Sequence, residues 1–177
     1  MTINPGVREQ VRHRAKFACE FCGASEVDSG GELTIDHFKP KAKGGDDSLD
    51  NLVYCCICCN QYKHDHWPEN PNASSLWNPR YEPASKHFVE LPTGMLRPLT
   101  ETGAFTLRWL RLNRQPLIDH RLQKRRHAEN ARLLIHQREI IRLNNQALAR
   151  QAGLMEEQRE RIEEQQRIIQ LFVEDSV

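Results

Sequence analysis

Residues 17–65 of the 177-residue chain read FACEFCGASEVDSGGELTIDHFKPKAKGGDDSLDNLVYCCICCNQYKHD, and they contain all six cysteines. Cys19 and Cys22 form one C-x-x-C pair, and the other four cysteines lie within residues 55–59. The chain has no long apolar run, and its first residues, MTINPGVREQ, lack the apolar stretch of a signal peptide. We therefore expect a cytoplasmic protein. In that reducing compartment clustered cysteines usually bind metal rather than form disulfides.

Two C-x-x-C turns are the usual layout of a closed structural Zn²⁺ site, in which each turn supplies two thiolates to one tetrahedron. The second pair is either Cys55 with Cys58 or Cys56 with Cys59, and the spacing alone leaves both open. An ordinary buried thiol is the usual explanation for a lone cysteine, but two such pairs favour zinc. The metal would supply folding free energy to a segment too small to fold on its own core.

Polar residues suited to phosphodiester hydrolysis lie between and just after the cysteine pairs. His37 is the candidate general base, because imidazole titrates near neutral pH. Asp36 and Asn60 offer the hard oxygen ligands that Mg²⁺ or Mn²⁺ prefers. Asn51 is placed to orient the imidazole through its side-chain or backbone carbonyl. Each has an ordinary alternative when taken alone; Asn60, for example, could be a helix cap or an early helix residue.

The order and spacing of these residues resemble the HNH endonuclease family. The resemblance rests on these motifs: Cys19-x-x-Cys22, Asp36-His37, Gly44-Gly45, Asp50-Asn51-Leu52 and Cys56-x-x-Cys59-Asn60-x-x-Lys63. It implies a ββα-metal fold, in which two short antiparallel strands are joined by a loop and a helix packs across them. It also implies that His37 is the general base, Asp36 a ligand of the catalytic divalent ion, and Asn51 the residue that positions the base.

The chain departs from the family pattern at the third position, directly after the last knuckle cysteine. Asn60 stands there in place of His, which makes an H-N-N variant and leaves the choice of metal open. His64 and His66 are rivals for this position on a helix predicted over 57–66. Of the two, His64 would share a face with Asn60. The resemblance also assigns the zinc ligands to Cys56 and Cys59, with Cys55 and Cys58 left as packing residues.

The fold class expected is α+β, in three regions. These are a zinc-stabilised HNH core over 1–67, an α/β extension packed on it over 68–115, and a long helical region over 116–177. The shorter elements predicted are a basic helix over 1–16, strands at 33–35 and 52–54, a hairpin of His87–Leu91 with Met95–Leu99, and a helix over Ala104–Leu112.

The segment Leu76-Trp77-Asn78-Pro79-Arg80 resembles an extension found in a bacterial subgroup of HNH proteins. The resemblance assigns it no role. Two explanations are open: Trp77 and Phe88 pack the extension onto the core, or Arg80 contacts DNA.

From Pro116 the pattern predicts one long helix, or two joined near Gly153, with recurring apolar residues that run from Leu122 to Phe172. Residues 105–150 carry a charge of +8, and residues 151–177 a charge of −4. The basic part could bind phosphates or form a solvated face. The two parts could instead pair in antiparallel fashion within or between chains. We favour a role in homo-oligomerisation or partner docking, and the resemblance to nucleases of bacterial defence systems implies an ATPase partner.

The sequence predicts metal-dependent hydrolysis of nucleic acid, with double-stranded DNA as the expected substrate. Zn²⁺ would be the structural ion, and Mg²⁺ or Mn²⁺ the catalytic ion. One alternative is a zinc-scaffolded binding module without catalysis. Another is an effector subunit that is inactive until a partner releases it.

Overall fold

The computed structural model describes residues 3–70 and 73–174, with side chains described up to Ile169. The chain divides into two compact units, Met1–Lys124 and Arg125–Val177. The first unit contains short helices and two small antiparallel sheets, and the second continues the last helix. This confirms the mixed α+β class.

The centre of the first unit is a two-stranded antiparallel sheet followed by a helix. Strand β1 (Thr34–His37) pairs with β2 (Leu52–Cys55), so that Asp36 lies opposite Val53 and His37 opposite Leu52. Helix α3 (Ile57–Lys63) begins two residues after β2 and packs on β1. The predicted ββα arrangement is confirmed, although α3 ends earlier than the predicted 57–66.

Strand β2 lies in the core, and all four of its residues are fully buried. Val53 and Tyr54 are of the β-branched and aromatic types that favour strands. Burial of the Tyr54 hydroxyl requires hydrogen-bond partners. It accepts a hydrogen bond from the Leu33 amide at 2.8 Å and donates one to Glu26. Glu26 lies in the short helix α2 (Glu26–Ser29), so the tyrosine connects the core strand to α2.

Helix α1 (Pro5–Arg14) covers one side of this sheet. Asn4 caps it by accepting a hydrogen bond from the Gly6 amide at 2.8 Å, and Pro5 occupies the first turn. Val11 is fully buried under the helix. Arg14, at its end, donates to the carbonyls of Leu49 and Leu52 at 2.6 Å each, which attaches α1 to the start of β2.

The extension contains three short elements after the short helix α4 (Ala84–His87). Strands β3 (Phe88–Glu90) and β4 (Leu96–Pro98) form the predicted hairpin, with shorter strands than expected. Helix α5 (Glu101–Trp109) begins before the predicted Ala104, because the Thr100 hydroxyl caps it by accepting from the Gly103 amide at 3.0 Å.

Helix α6 (Gln115–Glu174) is continuous, so the single-helix alternative is confirmed and Gly153 lies inside it. Its first turns belong to the first unit: Leu117 and Arg121 are buried, and Arg121 donates to the carbonyls of Gly94 and Leu112 at 2.6 and 2.9 Å. From 126 to 169 every side chain is exposed. The side chain of Phe172 lies outside the described residues. Among the helices described, none combines the length and apolar character needed to cross a membrane.

Candidate active site and zinc knuckle

Four cysteines from the two C-x-x-C turns converge on one point. The Sγ atoms of Cys19, Cys22, Cys56 and Cys59 all lie within 4.8 Å of one another, and those of Cys22 and Cys56 are 3.8 Å apart. A tetrahedral zinc site with Zn–S bonds of about 2.3 Å requires sulfurs separated by about 3.8 Å. All six cysteines are free thiols. The geometry therefore suits one tetrahedral ion and selects the register that contains Cys56 and Cys59.

The other two cysteines lie outside this cluster. Cys55 is fully buried in β2, its Sγ lies 3.7 Å from the Thr34 hydroxyl, and burial raises its thiol pKa, so it remains a neutral packing residue. Cys58 is exposed on α3. Within the cluster, hydrogen bonds from Cys19, Cys22 and Cys59 lower the pKa of Cys56.

A cation that no sequence motif indicates lies beside the knuckle. Arg114 Nη2 is 4.0 Å from Cys59 Sγ, and the guanidinium lies 5.5 Å from the ring centroid of Tyr62. A four-thiolate site with Zn²⁺ carries a net charge of −2, so a neighbouring guanidinium offsets part of that charge. Arg114 and Cys59 are 55 positions apart in the chain, and only the packing of the fold brings them together.

Asp36 and Lys63 form an ion pair beneath the end of β1. Lys63 Nζ lies 2.7 Å from Asp36 Oδ2 and donates to the His37 carbonyl, also at 2.7 Å, while its side chain is fully buried. Asp36 Oδ2 is itself buried and receives no well-directed hydrogen bond. Lys63 and Asp36 thus form an ion pair whose geometry is not that of a hydrogen bond. Asp36 Oδ2 can therefore still accept a hydrogen bond or bind a cation.

His37 is held by a carboxylate from the loop between the strands. Its Nε2 lies 2.6 Å from Asp47 Oδ1, and the other Asp47 oxygen lies 2.7 Å from Lys41 Nζ. The hydrogen bond from Lys41, followed by that from His37, keeps the pKa of Asp47 below its ordinary value. Asp47 therefore stays ionised near neutral pH. A charged acceptor at Nε2 fixes the tautomer in which Nδ1 carries the free lone pair.

Asn51 stabilises the loop rather than the imidazole. Its amide nitrogen donates to the carbonyls of Lys39 and Asp46 at 3.1 and 2.8 Å, and its Oδ1 accepts from the Lys39 amide at 2.8 Å. Its backbone carbonyl accepts from the Phe38 amide. The expected contact with the His37 ring is therefore replaced by an indirect one, in which Asn51 fixes the main chain next to both His37 and Asp47.

The glycine pair of the motif allows this loop to close. Gly44 adopts a φ of 85°, which favours glycine. At Gly45 a Cβ atom would lie 1.8 Å from the Lys39 carbonyl oxygen and 2.9 Å from the Asn51 side-chain nitrogen. Only glycine fits there without moving the hydrogen-bonded loop.

Asn60 lies one helical turn before Lys63 on α3, so both side chains leave the face that meets β1. The rival His64 does not share that face, and the prediction that it would is wrong. The helix ends at Lys63, and His64 adopts a φ of 51°. Its ring is 78% exposed and bonds to Asp65. Asn60 therefore lies one turn from Lys63, the helix residue that contacts Asp36.

Residues 19–66 match the family model described as HNH endonuclease. The chain contains an HNH-family domain. The match spans the four cysteines of the knuckle, strands β1 and β2 and helix α3, and it ends at His66. No curated protein matches the chain.

The HNH domain provides a donor set suited to a small divalent cation. Mg²⁺ is commonly held by one or two carboxylates together with water and substrate phosphate oxygens. Asp36 supplies a carboxylate with an unsatisfied buried oxygen, and Asn60 supplies an amide oxygen on the facing helix. In the described residues the four cysteines are the only cluster of three or more His, Cys, Asp or Glu side chains arranged to hold a metal. A divalent ion at Asp36 would therefore need water and substrate oxygens to complete its coordination.

The extension packs against the HNH domain through buried residues. Arg80 forms an ion pair with Glu20, whose side chain is only 8% exposed, between the knuckle cysteines. The Trp77 ring contacts the rings of Phe21 and Phe88 at centroid distances of 6.3 and 5.6 Å. The packing explanation for this segment is thus supported, and Arg80 is engaged by protein.

Two cavities flank the site, of about 570 and 310 Å³. Both are lined by Phe38, Trp67, Asn78 and Tyr81, and the smaller one also by Asn51 and the glycine pair. Neither is lined by Asp36, His37 or Asn60. Of the candidate catalytic residues, only Asn51 therefore lines one of these two cavities.

Proposed function

We propose that the HNH domain hydrolyses phosphodiester bonds of nucleic acid, with double-stranded DNA as the preferred substrate. The observation that carries this proposal is the pair of carboxylate contacts at the end of β1. Asp47 fixes the His37 ring, and the adjacent Asp36 presents a buried oxygen beside Lys63. Together they set a base and a cation ligand on consecutive residues.

In this mechanism His37 accepts the proton of the attacking water. Asp47 accepts the hydrogen bond from Nε2, so Nδ1 is the nitrogen available to water, and the imidazolium that forms is stabilised by the same carboxylate. Asp36 and Asn60 would hold the divalent ion, which supplies charge stabilisation at the phosphate and the leaving 3′ oxygen. Lys63 would hold the Asp36 carboxylate in position through their ion pair.

The loop after His37 supplies positive charge for a phosphate backbone. It carries Lys39, Lys41 and Lys43 within five residues, and the last two are exposed. Lysines at this density attract phosphates in a salt-dependent manner without reading sequence. The proposal therefore includes backbone binding next to the candidate base.

The decisive experiment is a plasmid-cleavage assay on zinc-loaded protein with and without Mg²⁺ or Mn²⁺. We expect metal-dependent cutting by the wild type and a loss of about 100-fold or more in His37→Ala. The matched control is His13→Ala, since His13 is also paired with a carboxylate but lies exposed on α1. Equal cutting by His37→Ala and wild type, at equal zinc content, would refute the proposal.

Two alternatives give different results in the same assay. A binding module without catalysis would bind DNA regardless of Mg²⁺ and of His37. An effector restrained by a partner or by its own helix would cut only in a complex or after truncation. Because Leu117 and Arg121 are buried in the first unit, that truncation should fall after Lys124 rather than at 116.

Further predictions rest on the resemblance or on composition alone. A defence role and an ATPase partner follow from the resemblance, and a cytoplasmic location is kept as part of the proposal. Docking of a partner or of a second copy through residues 116–177 is also part of the proposal. Mg²⁺ and Mn²⁺ are both retained as candidate catalytic ions.

A further inference from the structure

Helix α6 carries an apolar row with a strict seven-residue period. Large apolar residues occupy every seventh position over six heptads: Leu134, Ile141, Leu148, Met155, Ile162 and Ile169. All six side chains are exposed, by between 54% and 71%. A straight α-helix drifts by about 20° per heptad relative to this period, so the row stays on one face only if the helix supercoils around a partner.

A second row accompanies the first at the same period. An amide side chain follows three residues after each of the first five apolar residues: Gln137, Asn144, Gln151, Gln158 and Gln165. Spacings of three and four residues define the two core positions of a coiled coil. The apolar row takes the first core position, and the amide row takes the second.

We propose that a second copy of this chain covers the face formed by these two rows, as a parallel and in-register coiled-coil dimer. In a parallel coil each core layer contains the same position from both chains. Apolar residues then meet apolar residues, and every amide meets an identical amide that can both donate and accept. A second copy of the chain supplies a matching amide in each of the five amide layers. Any other partner would need amide side chains in the same five layers.

An antiparallel arrangement would bring the apolar row of one chain against the amide row of the other. Its layers combine the first core position of one helix with the second of the other, so each amide would face an apolar side chain. Buried amides without a hydrogen-bond partner are costly, and five per chain would be left in this state.

Charge polarity does not outweigh this cost. Residues 134–151 have a charge of +2 and residues 152–169 a charge of −2, which taken alone would favour the antiparallel pairing. Several of these charges are already paired within the helix: Arg142 with Glu139, Arg159 with Glu163, and Arg167 with Glu164. Exposed ion pairs contribute little, whereas buried unpaired amides cost much more.

A parallel dimer has a consequence for the proposed nuclease. Residues 3–124 precede the repeat in both chains, so both HNH domains join the same end of the coil. Two active sites tethered to one end can act on the two strands of one duplex. This consequence rests on the proposed function, but the dimer itself does not.

The first test measures the mass of the zinc-loaded full-length protein by light scattering at micromolar concentration. We expect a dimer. Ile141→Asp should raise its dissociation constant by at least about tenfold, because a charge is placed in a core layer. Ile135→Asp is the control, since Ile135 is 68% exposed but lies off both rows. A monomeric wild type, a trimer or larger assembly, or equal effects of both variants would overturn the proposal.

The second test determines orientation by mild oxidation of Gln137→Cys and Gln165→Cys, each in a Cys58→Ser background. In a parallel coil each variant forms a cross-linked dimer with itself, because identical positions face each other within disulfide range. Glu139→Cys, which points away from the core, should not cross-link. Cross-linking of Gln137→Cys only when it is mixed with Ile162→Cys, which carries its cysteine in the apolar row near the other end of the repeat, would overturn the parallel arrangement, whatever the nuclease assays show.

Discussion

Lys63 Nζ and Asp36 Oδ2 lie 2.7 Å apart, so the last residue of α3 is joined to the strand that carries the candidate base. The lysine is fully buried, and the aspartate side chain is 19% exposed. A buried lysine is rarely tolerated without a partner. This pair fixes α3, and with it Asn60, against the end of β1.

Lys63→Met should therefore be strongly destabilising. The change leaves the Asp36 carboxylate without its cation, and breaking a buried ion pair costs about 3 kcal/mol or more. The measurement is the free energy of unfolding in urea with zinc bound. Lys86→Met serves as the control, because its ion pair with Glu82 is exposed and should contribute less than about 1 kcal/mol.

A double variant separates the charge pair from simple packing. Lys63→Met combined with Asp36→Asn should recover part of the lost stability, since the uncompensated charge is removed. If the double variant were as unstable as the sum of the two single variants, Lys63 would stabilise the fold by packing and not by pairing with Asp36.

Asp47→Asn should slow cleavage without weakening substrate binding. The neutral amide no longer stabilises the imidazolium of His37, so we expect kcat to fall by about 10–100-fold with KM nearly unchanged. Asp65→Asn is the matched control, because Asp65 also pairs with a histidine, the exposed His64. A rise in KM at constant kcat would show that Asp47 acts in substrate binding instead.

Cys19→Ser should abolish zinc binding and unfold the HNH domain, while Cys58→Ser should leave both intact. Cys19 contributes one of four converging thiolates and is buried, whereas Cys58 is exposed outside the cluster. Zinc content and circular dichroism measure the two effects. Cys55→Ser should keep its zinc but lose some stability, because it places a hydroxyl in the core strand. Equal zinc loss in Cys19→Ser and Cys58→Ser would contradict this ligand set.

Local patterns predicted the elements and the knuckle well, because their determinants are close in sequence. The C-x-x-C turns, the strand predicted at 52–54 and the hairpin of His87–Leu91 with Met95–Leu99 each depend on a few neighbouring residues. The ligand register within residues 55–59 followed from the resemblance and agrees with the converged sulfurs.

The contacts that define the site were not predictable in this way. Lys63 with Asp36, Asp47 with His37, and Arg114 with Cys59 join residues 27, 10 and 55 positions apart. Such pairs depend on how the elements pack. The end of α3 was misjudged because Lys63 is drawn into the core and His64 takes a positive φ, which the sequence pattern does not reveal.

Acid should remove a stabilising contribution from Glu26. Its carboxylate accepts two hydrogen bonds from Arg12, at 2.6 and 2.8 Å, and one from Tyr54. The hydrogen bonds from Arg12, followed by that from Tyr54, lower the pKa of Glu26 to about 2. Because the pKa is lower in the folded chain, this stabilisation is fully present above the unfolded pKa of about 4.3 and is lost as pH falls through about 2.

The measurement compares wild type with Glu26→Gln in urea at a series of pH values. The wild type should be the more stable protein at pH 7, and the difference in the free energy of unfolding should shrink below about pH 4.3. Acid release of zinc affects both proteins alike and cancels in the difference. A difference between wild type and Glu26→Gln that stayed constant from pH 7 to pH 3 would mean that packing around Glu26, and not its charge, provides the stabilisation.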